Sequence, residues 1–329
     1  MSRIAPCLES FFTERLVRQL RASPCTVGGY RDTFRLFLRF ASERARKAPS
    51  ELEFEDVDAA FVAAFLTHLE HDRHNSARTR NVRLTAIRSF FRYAAFSEPA
   101  HAELIARVVA IPDKRTGRAV MTYLTTAEVE VVLASPDRTT WHGRRDHALL
   151  VVTAQTGMRV AELIRLHIGD VELGAGAHVH VKGKGRKERC VPLTRQTVAV
   201  LRVWMRERQG EDHQPVFPTI RGTPLSHDAV ADLVAKHADS ARTRCPTLVA
   251  KKITPHTFRH SCAMALLAAG VDISVIALWL GHEQVQTTQI YLHGDLTMKE
   301  RALARTASPM TKPGRYRAPD TLLAFLESL

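Results

Sequence analysis

Apolar positions recur with a helical period from residue 8 to about 109, with little of the β-branched alternation that marks strands. Val27, Tyr30, Phe34, Phe37 and Leu38 share one face, while Arg31, Arg35 and Arg39 share another, which predicts a helix with a core side and a basic side. Residues 78–95 repeat the design: Leu84, Ile87, Phe91 and Ala94 form the apolar stripe, with Arg80, Arg83, Arg88 and Arg92 around it. The stretch 110–123 holds Pro112, Gly117 and the charged Asp113, Lys114, Arg115 and Arg118, and reads as a basic linker. Beyond it, Thr126 followed by Ala127-Glu128-Val129 predicts a helix N-cap with an acidic first turn. Residues 147–155 are apolar enough to form a buried helix.

Between residues 168 and 193 the period shortens. Strands are expected at 170–173, 178–181 and 188–193, separated by the glycine-rich turns GAG and KGKGRK. Helical spacing returns at 197–208, 227–241, 256–269, 273–280 and around 286–291. In the tail, Leu322, Phe325, Leu326 and Leu329 form an i, i+3, i+4, i+7 face behind a Pro-containing stretch, so a short amphipathic helix is expected there. The fold class expected is mainly α with a small antiparallel β-sheet. The domains expected are a helical N-terminal one over 1–109, a linker over 110–123, a mixed α+β one over 124–299, and a tail over 300–329.

Charge narrows the partners. Lys and Arg number 47 against 34 Asp and Glu, giving a formal net charge of +13, a balance that favours polyanions such as nucleic acid. Each arginine taken singly could equally be a solvated surface residue; clustered on two helices of one small domain, they are expected to grip DNA phosphates. Five cysteines without CxxC pairs support neither a disulfide framework nor a zinc ribbon. No apolar run reaches the roughly 20 residues needed to span a bilayer, and the N-terminus lacks a secretory pattern, so a cytoplasmic protein is expected.

Five short motifs occur in order: TGMRVAEL (156–163), VKGKGRKERCVPL (181–193), HTFRH (256–260), WLGH (279–282) and QIYLH (289–293). Each alone is unspecific, but together, over about residues 120–295, they resemble the tyrosine recombinases, the family that includes phage integrases. The resemblance implies that the preceding helices form a core-binding domain on DNA. It also implies a catalytic set: Arg159 and Arg259 clamp a phosphate, His256 and His282 donate hydrogen bonds or protons, Lys184 protonates the departing 5′ oxygen, and Tyr291 is the nucleophile. Glu162 takes the acidic position that braces Arg159.

The chemistry accounts for these residue types. Exchange at a phosphodiester passes through a crowded anionic transition state, which positioned cations and donors stabilise. Arginine is permanently charged and bidentate toward phosphate oxygens. His256 and Arg259, three apart at the start of a helix after Thr254-Pro255, are expected to share a face. Lys184 is preferred to Lys182 and Lys187 because it alone aligns with the lysine between two glycines of the family pattern. A phenol with a pKa near 10 needs help to ionise, and nearby cations are expected to supply it.

The resemblance implies a reaction that conserves the phosphodiester bond as a 3′-phosphotyrosyl link and proceeds through a Holliday junction, without cofactor, metal or ATP. Double-stranded DNA is the expected partner, bound by a homo- or hetero-oligomer, a tetramer on two sites, in keeping with a mobile-element recombinase. Three other readings compete. A metallohydrolase could use His256 and His260, four apart, but no Glu base lies between them and Arg259 would repel a dication. A non-catalytic DNA-binding protein explains the charge but not the ordered motifs. A type IB topoisomerase would share the chemistry.

Overall fold

In a computed structural model of the chain, which describes residues 3–117, 121–183, 187–282, 287–288 and 291, the protein is mainly helical with one small antiparallel sheet. It divides into two compact units, residues 1–119 and 120–329.

The first unit is built on α1 (Ile4–Ser10), α2 (Pro24–Ala45), α3 (Ala59–His71), α4 (Ala77–Ser97) and α5 (Ala102–Val109). Helix thus begins at Ile4, four residues before the expected start, because Ile4, Cys7 and Leu8 are buried. Ser23, Asp58 and Ser76 cap α2, α3 and α4 by accepting from the N–H three residues on. The core is aromatic: Phe34 meets Phe90 edge-on with centroids 5.4 Å apart, and Phe37 meets Phe65 at 5.2 Å. Full burial of each such ring stabilises by about 1.5–3 kcal/mol.

Arg31, Arg35 and Arg39 are exposed along α2, and Arg31 pairs with Asp32. The arginines of α4 depart from the solvent-facing picture. Arg83 donates to Thr33 Oγ1 on α2 at 2.9 Å, Arg80 to the Pro112 carbonyl at 3.2 Å, and Arg88 to Asp113 and the Ile111 carbonyl. Asn81 exchanges two hydrogen bonds with the Lys114 backbone, and Lys114 Nζ reaches Glu70 at 2.9 Å. Residues 111–114 are therefore strapped along α4 and belong to the first unit. The sequence pattern could not show this, because the partners lie about 30 residues apart. Of the five α4 arginines, Arg78 and Arg92 are exposed, and Arg80, Arg83 and Arg88 are only half so.

The second unit comprises α6 (Thr126–Leu133), α7 (Trp141–Thr156), α8 (Val160–Ile164), β1 (Val171–Glu172), β2 (His178–Lys182), β3 (Glu188–Pro192), α9 (Arg195–Arg208), α10 (His227–Arg242), α11 (Pro255–Ala268) and α12 (Ile273–Leu280). Thr125 rather than Thr126 caps α6: its hydroxyl accepts the Glu128 N–H while the Glu128 carboxylate accepts the Thr125 N–H. Packing reaches back further still, since Met121 and Tyr123 lie against a buried cluster that contains Tyr291, and Ser261 Oγ on α11 accepts the Leu124 N–H at 2.8 Å. Residues 121–123, expected as linker, are part of this unit.

The sheet runs β1-β2-β3, all antiparallel, with Val179 opposite Val191 and Val181 opposite Arg189. Val179, Val181 and Val191 are buried against the core, so Arg189 shares the inward face of the hairpin. A buried pair, Asp146 on α7 and His237 on α10, 3.0 Å apart and joined by Arg145, pins those two helices together. No described helix is long and apolar enough to cross a membrane.

Candidate active site

The side chains singled out in the sequence come from three helix boundaries. Helix α7 stops at Gly157, whose φ of +62° only glycine adopts without strain, and a Cβ there would stand 2.7 Å from Leu280 Cδ2. The chain then turns through Met158 and presents Arg159 as the residue preceding α8. Helix α11 starts at Pro255 behind a Thr254 cap, which places His256, Arg259 and His260 in its first two turns. Helix α12 ends at Gly281, φ +65°, and His282 follows at once.

Arg159 donates Nη1 to Glu162 Oε1 at 3.0 Å and Nη2 to the Gly281 carbonyl at 2.9 Å, with about two-fifths of its side chain still exposed. The local ion pair and the bracing position are the same contact. Glu162 also accepts the Arg159 backbone N–H and both amino groups of Arg189, at 3.0 and 2.9 Å. Burial pushes the Glu162 carboxyl up, but the hydrogen bonds and charge of Arg189, aided by Arg159, hold it below the usual carboxylate range.

Arg259 is 2% exposed and donates to two backbone carbonyls, Gly157 and Leu280, each at 2.7 Å. Among the described residues it has no carboxylate partner. Burial, joined by the charge of Arg159, pushes its pKa down to about 10. A guanidinium taken from water without a carboxylate bonded to it is a costly arrangement.

Tyr291 is 1% exposed, with its hydroxyl 3.2 Å from His260 Nδ1 and its ring stacked over His282 at a centroid distance of 6.4 Å. The cations were expected to ease its ionisation. Burial outweighs them and pushes the hydroxyl up to about 12, with Arg259 opposing only in part. His282 Nδ1 bonds Thr288 Oγ1 at 2.7 Å. Burial, together with Arg259 and Arg159, drives its pKa down to about 4. His260 is driven to about 4 by burial and then by His256 and Arg259. His256 is exposed, its ring edge-on to His260 at 4.3 Å.

The structure thus gathers Arg159, Arg259, His282 and Tyr291, with Glu162 behind them and His256 on the outer side of His260. Lys184 lies outside the described residues, as do residues 320–329 of the expected tail helix. Lys182 is occupied by Asp170 at 3.1 Å, and Lys187 is exposed. No group of three His, Cys, Asp or Glu converges as a metal site among the described residues. Two residues were missed. His260 entered only as half of a rival metal pair. Arg189 carried a signal that went unread: strand alternation puts it on the same side as Val191, and a charge on an inward face calls for a buried partner.

The sequence pattern described as the phage integrase family matches residues 122–297, and the phage integrase N-terminal SAM-like domain matches residues 10–97. An integrase/recombinase of Sinorhizobium fredii is 54% identical over 99% of this chain and 98% of its own. The chain belongs to the phage integrase family. A tyrosine recombinase XerD of Staphylococcus saprophyticus is 32% identical over 82% of this chain and 87% of its own. Among solved structures, XerH site-specific recombinase bound to palindromic difH substrate covers 92% of this chain and 83% of its own, with a TM-score of 0.70 at 23% identity, a likeness of fold. The chain is a tyrosine recombinase by family and an enzyme by class.

Proposed function

We propose that this chain cuts and rejoins double-stranded DNA by transferring a DNA phosphate to Tyr291. The observation that carries the proposal is Arg259, a buried guanidinium with carbonyl partners alone among the described residues, set among Arg159, His282 and the Tyr291 hydroxyl. With both imidazoles neutral, the guanidiniums of Arg159, Arg189 and Arg259 against the single carboxylate of Glu162 leave a net positive pocket. A phosphodiester entering it supplies the missing counter-charge.

In the reaction, Tyr291 Oη passes its proton to His260 and forms a bond to phosphorus as the bond to the 5′ oxygen breaks. Arg159 and Arg259 hold the non-bridging oxygens, where negative charge gathers in the transition state. His256 and His282 supply further donors, and Lys184 gives the departing oxygen its proton. The 3′-phosphotyrosyl link keeps the energy of the original phosphodiester, so the 5′ hydroxyl of a partner strand can reverse the step without a nucleotide triphosphate. Joining two sites through a Holliday junction requires two cleaved duplexes at once, which we assign to a tetramer of this chain. The exposed Arg35, Arg39 and Arg92 of the first unit would meet the backbone phosphates.

The direct test incubates the protein with nicked duplexes built from DNA flanking its own gene. A denaturation-resistant protein–DNA adduct is expected from the wild type and none from Tyr291→Phe. An adduct of equal yield from the variant would refute the assignment.

A further inference from the structure

The hairpin β2–β3 carries one charge on its inward face, and that charge is fully used. Arg189 gives Nη1 and Nη2 to the two oxygens of Glu162, at 3.0 and 2.9 Å, and Nε to the Trp279 carbonyl at 2.9 Å. Its side chain is 12% exposed and that of Glu162 is 4% exposed. The guanidinium also lies under Gly281: a Cβ there would stand 2.8 Å from Arg189 Nη1. From strand β3 this side chain therefore touches both the carboxylate that holds Arg159 and the end of α12 from which His282 projects.

We infer that Arg189 is a positioning residue for phosphate transfer, setting the Arg159 guanidinium through Glu162 and the approach of His282 through the end of α12. The inference rests on the proposal that Arg159 clamps the scissile phosphate. Each of the three Arg189 nitrogens donates to a protein acceptor, so its part in the reaction is indirect. Without it, Glu162 has only Arg159 to neutralise it. The Arg159 guanidinium, two-fifths exposed and held from Glu162 and Gly281, would turn toward the buried carboxylate and away from the phosphate. Lysine cannot replace the fork, because its single ammonium cannot satisfy both carboxylate oxygens and the Trp279 carbonyl in the same geometry.

The test uses the full chain on nicked duplexes, with the linkage cleaved by the wild type made either as the ordinary phosphodiester or as a neutral methylphosphonate. The methylphosphonate has one fewer negative oxygen and so less need of a positioned cation. Arg189→Gln is expected to bind DNA as the wild type does. On phosphodiester it should form adduct about 10–100-fold more slowly, the usual scale for losing the partner that orients a functional group. That deficit is expected to shrink to a few-fold on methylphosphonate, in parallel with Arg159→Lys. Should Arg189→Gln fail to fold, Arg189→Lys carries the same comparison. An equal deficit on both substrates would show Arg189 to be merely structural, and an undiminished rate on phosphodiester would overturn the inference outright. Arg159→Lys cleaving phosphodiester like the wild type would instead overturn the clamp and the inference with it, so the two failures are distinct.

Discussion

The hydroxyl of Tyr291 sits 3.2 Å from Nδ1 of His260, one position beyond Arg259. With its pKa down at about 4, His260 is a neutral imidazole at ordinary pH, and in the tautomer protonated at Nε2 its Nδ1 accepts from the hydroxyl. A group so placed can orient the nucleophile and take its proton as the bond to phosphorus forms. His260→Ala is expected to slow adduct formation on the order of 10²-fold, the lower end for proton-transfer assistance. DNA affinity measured by band shift should be unchanged. A wild-type rate would leave the contact without a role in the reaction.

Arg259 sets stability against function. Its guanidinium is buried with neutral partners, so Arg259→Met, similar in volume and uncharged, should melt at the same temperature as the wild type or higher. Adduct formation should fall by about 10²–10³, the typical loss of a preorganised donor. Sulfate is expected to raise the melting temperature of the wild type more than that of the variant, because an anion bound at the site adds to the general stabilisation by an excluded salt. Calorimetry with and without sulfate decides the matter.

Acid should loosen the site through its histidines. His260 and His282 ordinarily titrate near 6.5 but lie near 4 in the folded chain. Between those values the unfolded chain binds more protons than the folded one. Stability therefore rises with pH in that window and is lost as pH falls from about 6.5 toward 4. The Glu162 carboxyl, held low by Arg189, contributes its own loss at lower pH. The fall in melting temperature between about pH 7 and about pH 5 should be shallower in a His260→Gln/His282→Gln double variant than in the wild type. Parallel curves would contradict the assigned shifts.

The arginines of the first unit should separate into two sets. Arg83 and Arg88 hold the unit's own chain, so alanine there is expected to lower the melting temperature. Arg35, Arg39 and Arg92 are exposed, and alanine at each should leave the melting temperature within a degree or two while weakening DNA binding. Each loss should also reduce the steepness of the salt dependence, by about one counter-ion per phosphate contact removed. Fluorescence anisotropy over a salt series measures both quantities.

Much of this was legible in the sequence because the informative signals were local. Helical spacing, the Thr254-Pro255 start of α11, the glycine stops at 157 and 281, and three short strands all act within a few residues. The ordered motifs then fixed Arg159, Arg259, His282 and Tyr291 as one set. What escaped was long-range. The use of Arg80 and Arg88 to hold residues 111–113 depends on partners 23 to 32 residues away. The Arg189–Glu162 bond spans 27 residues and two elements. Burial also reversed one expectation, since cations placed around a phenol did not offset the loss of water around Tyr291.

The central claim is that Tyr291 becomes covalently joined to DNA. The adduct formed on nicked duplex should be digested with protease and nuclease and its peptides sequenced by mass spectrometry. The account predicts a 3′-phosphorylated nucleotide on the Tyr291 hydroxyl and a free 5′ hydroxyl on the released strand. A nucleotide carried by any other side chain, or a 5′-phosphate on the released strand, would contradict it.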